Sequence, residues 1–91
     1  MSVHDLIVKE LEHTRSLGAL IYLIERGREL EFTAGGEEWF LSRHGSRRAV
    51  SLWNGQTEQS FDSMEELLEN AVVSGAPFLA AWETVSIETI F

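Results

Sequence analysis

The chain has 91 residues, of which 44% are hydrophobic, and this predicts one globular domain over residues 1–91 rather than a disordered segment. It contains no cysteine, which excludes disulfide bonds and thiolate metal sites. The formal net charge is −8, and all seven Lys and Arg residues lie at or before Arg48, so residues 49–91 carry no basic side chain. Such an acidic half repels nucleic acid and anionic membranes and suits a basic partner.

The first predicted element is an amphipathic helix from about Ser2 to Thr14. Ser16 then stands where it could cap a second helical piece. The apolar residues of the first helix recur at the spacing of one helix face, with charged residues between them: Val3, Leu6, Ile7 and Leu11.

Residues 19–24 form a short apolar run that fits either a helix or a strand. We predict a helix, because Gly27 follows where a C-terminal cap would lie, and a strand is the alternative. The apolar run from Leu17 to Ile24 has eight residues, whereas a membrane helix needs roughly 20. The start of the chain also lacks the basic stretch of a signal peptide, so we expect a soluble cytoplasmic protein that does not enter membranes.

Residues 29–61 predict an antiparallel β-meander. Gly35-Gly36 and Asn54-Gly55 are signals for two-residue hairpin turns, because glycine and asparagine tolerate the positive φ that such turns require. The expected cross-strand pairs are Leu30 with Leu41, Phe32 with Trp39, Val50 with Gln59, and Leu52 with Thr57.

In that arrangement one face of the meander is apolar and the other is mostly polar, although Phe40 and Trp53 fall on the polar face. The apolar face needs a cover, and helices flank the meander in the sequence. We therefore predict an α+β fold: an antiparallel β-meander of three to four strands plus a C-terminal strand, with one face covered by helices. The apolar face carries Leu30, Phe32, Trp39, Leu41, Val50 and Leu52 and continues to Phe61.

A third helix is predicted from about Ser63, with a capping box formed either by Asp62 and Glu65 or by Ser63 and Glu66. Its apolar stripe runs from Met64 to Val72, and the helix is expected to end near Ser74-Gly75.

Pro77 opens a short helical turn that reaches Trp82. The last element is a strand from Thr84 to Phe91, which must dock on the sheet to avoid fraying. Its side-chain alternation places Val85, Ile87 and Thr89 on one side.

Three segments carry a resemblance to other proteins: Arg28–Phe32 with Gly36 and Trp39, then Phe61–Leu68, then Ser74-Gly75 with Trp82-Glu83. Together they resemble a group of small uncharacterised α+β proteins of Gram-positive bacteria, over roughly residues 28–91. The resemblance implies a fold and brings neither an activity nor functional residues.

We predict no catalytic, cofactor or metal site. Glu10 and His13 have Glu-x-x-His spacing, but di-metal sites of that type need a second copy. His44 and Ser46 are neighbours in a turn, which rarely aligns a base with a nucleophile. The acids of the third helix, Glu65, Glu66 and Glu69, are typical of a capped, solvated helix face.

Two features indicate interactions instead. The turn 43–48 carries a cationic tip, and Phe40 and Trp53 could form an apolar patch on the polar face of the sheet. We therefore predict a small acidic non-catalytic interaction protein with a protein partner or a second copy of itself, for instance an inhibitor or immunity-type protein that covers a basic target. The alternative is a nucleic-acid-binding module that uses the tip, although the acidic remainder disfavours it. The tip consists of Arg43, His44, Arg47 and Arg48.

Overall fold

The computed structural model describes residues 2–43 and 49–91 and contains four helices and seven strands within these ranges. In chain order they are α1 (Val3–Thr14), α2 (Leu17–Glu25), β1 (Leu30–Ala34), β2 (Glu37–Arg43), β3 (Val50–Trp53), β4 (Glu58–Phe61), α3 (Met64–Asn70), β5 (Val72–Val73), β6 (Ala76–Pro77), α4 (Phe78–Trp82) and β7 (Ser86–Ile90).

Five strands form one antiparallel sheet in the order β4-β3-β2-β1-β7, and β5 pairs with β6 in a separate two-stranded ribbon. Helices pack on one side of the sheet, so the predicted α+β fold is confirmed. The C-terminal strand β7 docks on the sheet, as expected. It pairs with β1, which therefore lies between two strands instead of at the edge of the sheet.

The first hairpin has the predicted register. Leu30 faces Leu41 and Phe32 faces Trp39 across β1 and β2. The turn between them is made by Gly35 and Gly36, whose φ angles of 58° and 81° lie in the left-handed region that favours glycine.

The inner face of the sheet, defined as the face that carries Phe32, is the floor of the hydrophobic core. All six side chains predicted to share this face are buried, and helix residues such as Leu11, Leu20 and Leu67 complete the core above them. The six are Leu30, Phe32, Trp39, Leu41, Val50 and Leu52.

Phe32 is the point where the last helix meets the sheet. Its ring makes edge-to-face contacts with Phe78, at a centroid distance of 6.4 Å, and with Trp82, at 5.7 Å. Phe78 and Trp82 in turn stack on each other at 5.5 Å. Edge-to-face and offset stacked rings are the geometries that aromatic quadrupoles favour, so this cluster fixes the orientation of α4.

The corner between α1 and α2 is tied to the far end of the chain. Arg15 caps α1 in a left-handed conformation, with φ of 54°, and its guanidinium donates a hydrogen bond to the Val85 carbonyl at 2.8 Å. In return, the indole N–H of Trp82 donates to the Arg15 carbonyl at 3.0 Å. These bonds hold the N-terminal helices against the segment that leads into β7.

The helix starts follow the capping rules. Ser2 and Asp5 form a reciprocal capping box on α1, and Ser16 accepts a hydrogen bond from the Ala19 N–H, which confirms a helix rather than a strand for residues 19–24. For α3, Ser63 is the capping residue and accepts from the Glu66 N–H at 3.2 Å.

The predicted register of the second hairpin is wrong by two residues. Val50 pairs with Phe61 and Leu52 with Gln59, so the loop spans residues 54–57 instead of two turn residues. The cause is the Asn54 side chain, whose amide oxygen accepts hydrogen bonds from the N–H groups of Gln56 and Thr57 at 3.0 and 2.9 Å. Because side chains alternate with period two, a shift of two leaves the inner face intact.

The prediction that Thr89 shares a side with Ile87 is also wrong. Phe32 pairs with Ile87, whereas Glu31 pairs with Thr89, so Glu88 is an extra residue that forms a β-bulge. Beyond the bulge the alternation is reversed: Ile90 instead of Thr89 packs against the core.

The third helix is shorter than predicted, because it ends at Asn70 and the chain turns into the β5–β6 ribbon. Ser74-Gly75 is therefore the turn of this ribbon and not a helix cap. Ser74, with φ of 51°, donates its hydroxyl hydrogen bond to the Ala34 carbonyl at 2.9 Å. The ribbon tip thus rests on the tip of the first hairpin.

The short helix after Pro77 forms as predicted, over Phe78–Trp82.

No helix in residues 2–43 and 49–91 is both long enough and apolar enough to cross a membrane.

We predict that the contact between the two tips makes Gly35 sensitive to substitution. A Cβ atom at Gly35 would lie 2.8 Å from both the Cβ and Oγ atoms of Ser74. Because this clash adds to the strain of a left-handed φ, Gly35→Ala should lower the free energy of unfolding by about 2–3 kcal/mol. Urea denaturation measures this change.

The double variant Gly35→Ala with Ser74→Gly isolates the steric part, since it removes the atoms that clash. The loss caused by Gly35→Ala should then shrink. Gly36→Ala is the control, because nothing lies within 4 Å of the position that a Cβ atom would take there, and its effect should be the same in both backgrounds. An unchanged loss for Gly35→Ala would contradict the contact.

Gln59 offers a second test of how the ribbon is held. Its side-chain amide donates to the Val72 carbonyl at 2.7 Å and accepts from the Val72 N–H at 2.9 Å, as a peptide group of a neighbouring strand would. Gln59→Leu should lower the free energy of unfolding by about 1 kcal/mol and speed hydrogen exchange of the Val72 amide. Gln56→Leu, at an exposed loop position, should change neither measurement.

Candidate interaction surface

The outer face of the sheet, opposite the core, carries a cross-strand row of five side chains. The register places Glu31 opposite Phe40, Phe40 opposite Trp53, and Trp53 opposite Glu58, with Thr89 opposite Glu31 at the other end. Residues directly opposite each other lie on the same face about 5 Å apart. We call this series the central row: Thr89, Glu31, Phe40, Trp53 and Glu58.

The centre of this row is aromatic and partly open to solvent. Trp53 is 48% exposed and Phe40 is half-buried. Phe91, which is 46% exposed, follows β7 and is held there by a 2.9 Å hydrogen bond from its N–H to the Glu29 carbonyl. Its ring meets that of Phe40 at 5.9 Å and 63°. Phe40, Trp53 and Phe91 together form what we call the aromatic strip.

Phe91 is the member of the strip that sequence reasoning missed. Simple alternation from Val85 assigns Phe91 to the same side as Ile87, which is the inner face, whereas the bulge at Glu88 reverses the assignment. Phe91 therefore covers part of Phe40 while leaving Trp53 open.

Carboxylates border the strip. Glu31 and Glu58 flank the aromatic pair within the central row, and Glu38 lies two residues before Phe40 on the same face of β2. In the described ranges the carboxylates of Glu31 and Glu38 make neither a hydrogen bond nor an ion pair, and no strand residue on this face is basic.

A shallow cleft of about 430 Å³ lies beside Trp53. It runs between the second hairpin loop and the start of β2, next to the carboxylates of Glu31 and Glu38. Its lining is formed by Glu31, Glu38, Trp39, Phe40, Trp53, Asn54 and Gly55.

The outer face is not polar and wet throughout. Ser51 pairs with Ser42 and Ser60 on this face, yet it is only 4% exposed. A short side chain in an interior strand is sheltered by its neighbours, so the face is most open at Trp53 and along its carboxylates.

Of the predicted cationic tip, the structure describes Arg43 alone; His44, Arg47 and Arg48 lie outside the described residues. Arg43 pairs with Val50, so it projects on the inner side, and its guanidinium donates to the Glu25 carbonyl at the end of α2. It lines a separate cleft of about 320 Å³ with Ile24, Glu25 and Val50. The described part of the tip therefore points away from the outer face that carries Phe40 and Trp53.

Within residues 2–43 and 49–91, no group of three or more His, Asp and Glu side chains is arranged to hold a metal ion. Glu10 and His13 lie on the exposed part of α1, and Glu65 and Glu69 on the exposed part of α3.

No family model, curated protein or solved structure matches this chain. The resemblance to small α+β proteins of Gram-positive bacteria stays a prediction.

The electrostatics of the strip can be tested by fluorescence quenching. We predict that Cs⁺ quenches the exposed Trp53 indole more strongly than I⁻ at low ionic strength, when each is expressed relative to its quenching of free N-acetyl-tryptophanamide. The reason is that the bordering carboxylates attract cations and repel anions. Trp39 and Trp82 are buried at 4% and 2% exposure and should contribute little.

Trp53→Phe serves as the blank, since it removes the accessible indole. The double variant Glu31→Gln with Glu38→Gln should reduce the difference between Cs⁺ and I⁻ in their quenching of Trp53 fluorescence. Added salt should reduce this difference as well. If both ions quench the wild-type protein equally relative to free N-acetyl-tryptophanamide, the carboxylates do not set the local potential at the strip.

Proposed function

We propose that this protein is a small acidic non-catalytic interaction domain that binds a basic protein partner through the outer face of its sheet. The observation that carries the proposal is the aromatic strip of Phe40, Trp53 and Phe91 bordered by the carboxylates of Glu31 and Glu38. Exposed aromatic groups gathered on one face are typical of interaction surfaces, where they supply apolar area at small entropic cost.

The charge of the border indicates what kind of partner fits. Five glutamates lie on or beside this face, and no described strand residue there balances them; they are Glu29, Glu31, Glu38, Glu58 and Glu88. A partner with arginine or lysine residues around an apolar centre would match both features and would be steered to the face from a distance.

The same charges argue against a dimer through this face. In a two-fold dimer, both copies present the same patch to each other. The glutamates of the two central rows would then meet like charges in a partly desolvated interface, which is unfavourable. A heterologous basic partner therefore fits the outer face better than a second copy.

Nucleic-acid binding, the second candidate, draws less support. Stacking of bases on Phe40 and Trp53 would bring phosphates towards Glu31, Glu38 and Glu58. An inhibitor or immunity-type protein in the cytoplasm, which covers a basic target, is the form of the proposal that agrees best with the acidic surface.

Selection from a random-peptide library tests the proposal without requiring that the partner be identified first. Peptides that bind the wild-type protein should carry net positive charge and apolar residues. Their affinity should fall by at least about tenfold for Trp53→Asp, because this change removes the largest open anchor and adds a charge to the strip.

Leu79→Asp is the matched control. Leu79 is 45% exposed, close to the 48% of Trp53, but it lies on α4, away from the outer face. Peptide binding should survive this change. Neutral or acidic peptides, or basic peptides that bind Trp53→Asp equally well, would overturn the proposal, as would a dimer in light scattering that Trp53→Asp dissociates.

A further inference from the structure

We propose that the cleft beside Trp53 is a receptor for one arginine side chain of the partner, held between the aromatic pair and the carboxylates of Glu31 and Glu38. This inference rests on the proposed function and specifies its central contact. The cleft has a volume of about 430 Å³ and opens to solvent.

The register supplies the walls of this receptor. Phe40 and Trp53 are direct cross-strand partners, so both side chains project from the outer face on neighbouring strands. Glu31 is the cross-strand partner of Phe40 on the opposite side from Trp53. Glu38 lies two residues before Phe40 on β2, so Glu31 and Glu38 are diagonal cross-strand neighbours with Cβ atoms roughly 7 Å apart.

Two negatively charged side chains at diagonal positions of one sheet face repel each other when no cation lies between them. In residues 2–43 and 49–91 neither carboxylate has a hydrogen-bond donor or an ion-pair partner, whereas the neighbouring Glu37 accepts hydrogen bonds from Asn54 and Ser74. A cation placed between them would relieve the repulsion and gain an attraction from each.

Arginine fits this arrangement better than lysine. Its guanidinium is planar, so it stacks on an indole face while its edge donates several hydrogen bonds in a fixed fork. The lining of the cleft includes the exposed Trp53 indole and the side chains of Glu31 and Glu38 from two strands, so it offers a guanidinium both a stacking surface and acceptors. An ammonium group would engage the carboxylates as a point charge and leave the stacking surface largely unused.

The loop geometry helps to keep the receptor open. Asn54 and Gly55 form one end of the cleft, and Asn54 is fixed by hydrogen bonds from the N–H groups of Gln56 and Thr57 and by its own bond to Glu37. Binding would therefore order few additional groups, which reduces its entropic cost.

N-acetyl-arginine methylamide tests the receptor directly, with N-acetyl-citrulline methylamide as the neutral ligand of nearly the same shape. The Trp53 indole N–H signal, assigned with Trp53→Phe, is followed by NMR during titration of the intact protein. The arginine compound should shift this signal in a saturable manner with a Kd of about 10 mM, and the citrulline compound should not. The N-acetyl-lysine analogue should bind more weakly than the arginine compound.

Glu31→Gln with Glu38→Gln should weaken arginine binding at least about fivefold. Glu65→Gln with Glu69→Gln changes the net charge equally, but on the exposed part of α3, and should leave binding unchanged. Equal binding of arginine and citrulline, or equal weakening by both double variants, would overturn the inference. If the binding of selected basic peptides still requires Trp53 while the arginine compound does not bind, the arginine receptor is contradicted. The proposed function is then still supported.

Discussion

The packing of Phe32 against Phe78 and Trp82 is the contact on which the rest of the structure depends. It joins the middle of the sheet to the last helix, although Phe78 and Trp82 lie 46 and 50 positions after Phe32 in the sequence. Trp82 also reaches the carbonyl of Arg15, so the same cluster connects the N-terminal helices. With α4 fixed in this way, the chain leaves it in position to run along β1 as β7.

The burial of Phe32 also determines the composition of the opposite face. In a strand, neighbouring side chains point to opposite sides, so an inward Phe32 requires an outward Glu31, and an inward Trp39 requires an outward Phe40. The core and the aromatic strip are thus two consequences of a single register. A change that moved β1 by one residue would turn Glu31 towards the core and Phe32 towards solvent, and both faces would be lost.

Much of this architecture could be predicted from local patterns, because the glycine pair at 35–36 and the alternation around it leave one register. The features that were missed depend on contacts that a pattern does not encode. Asn54 satisfies the loop backbone with its side chain, and Glu88 bulges because Ile87 and Ile90 both reach the core. The β5–β6 ribbon is held by two contacts between distant parts of the chain. Gln59 of β4 binds the backbone of Val72, and Ser74 at the ribbon turn binds the carbonyl of Ala34. For the candidate site, side-chain alternation alone places Phe40 and Trp53 on the outer face. Placing Phe91 there also requires knowledge of the bulge at Glu88.

The pairing of β7 with β1 has a consequence for the order of events during synthesis. Until residues 86–90 leave the ribosome, β1 has a partner on one side only, and its other edge presents unpaired backbone groups. Closing this gap joins segments more than 50 positions apart, which is a slow, non-local step compared with forming the hairpins. Until β7 docks, a folded meander exposes this edge of β1 to pairing with another chain.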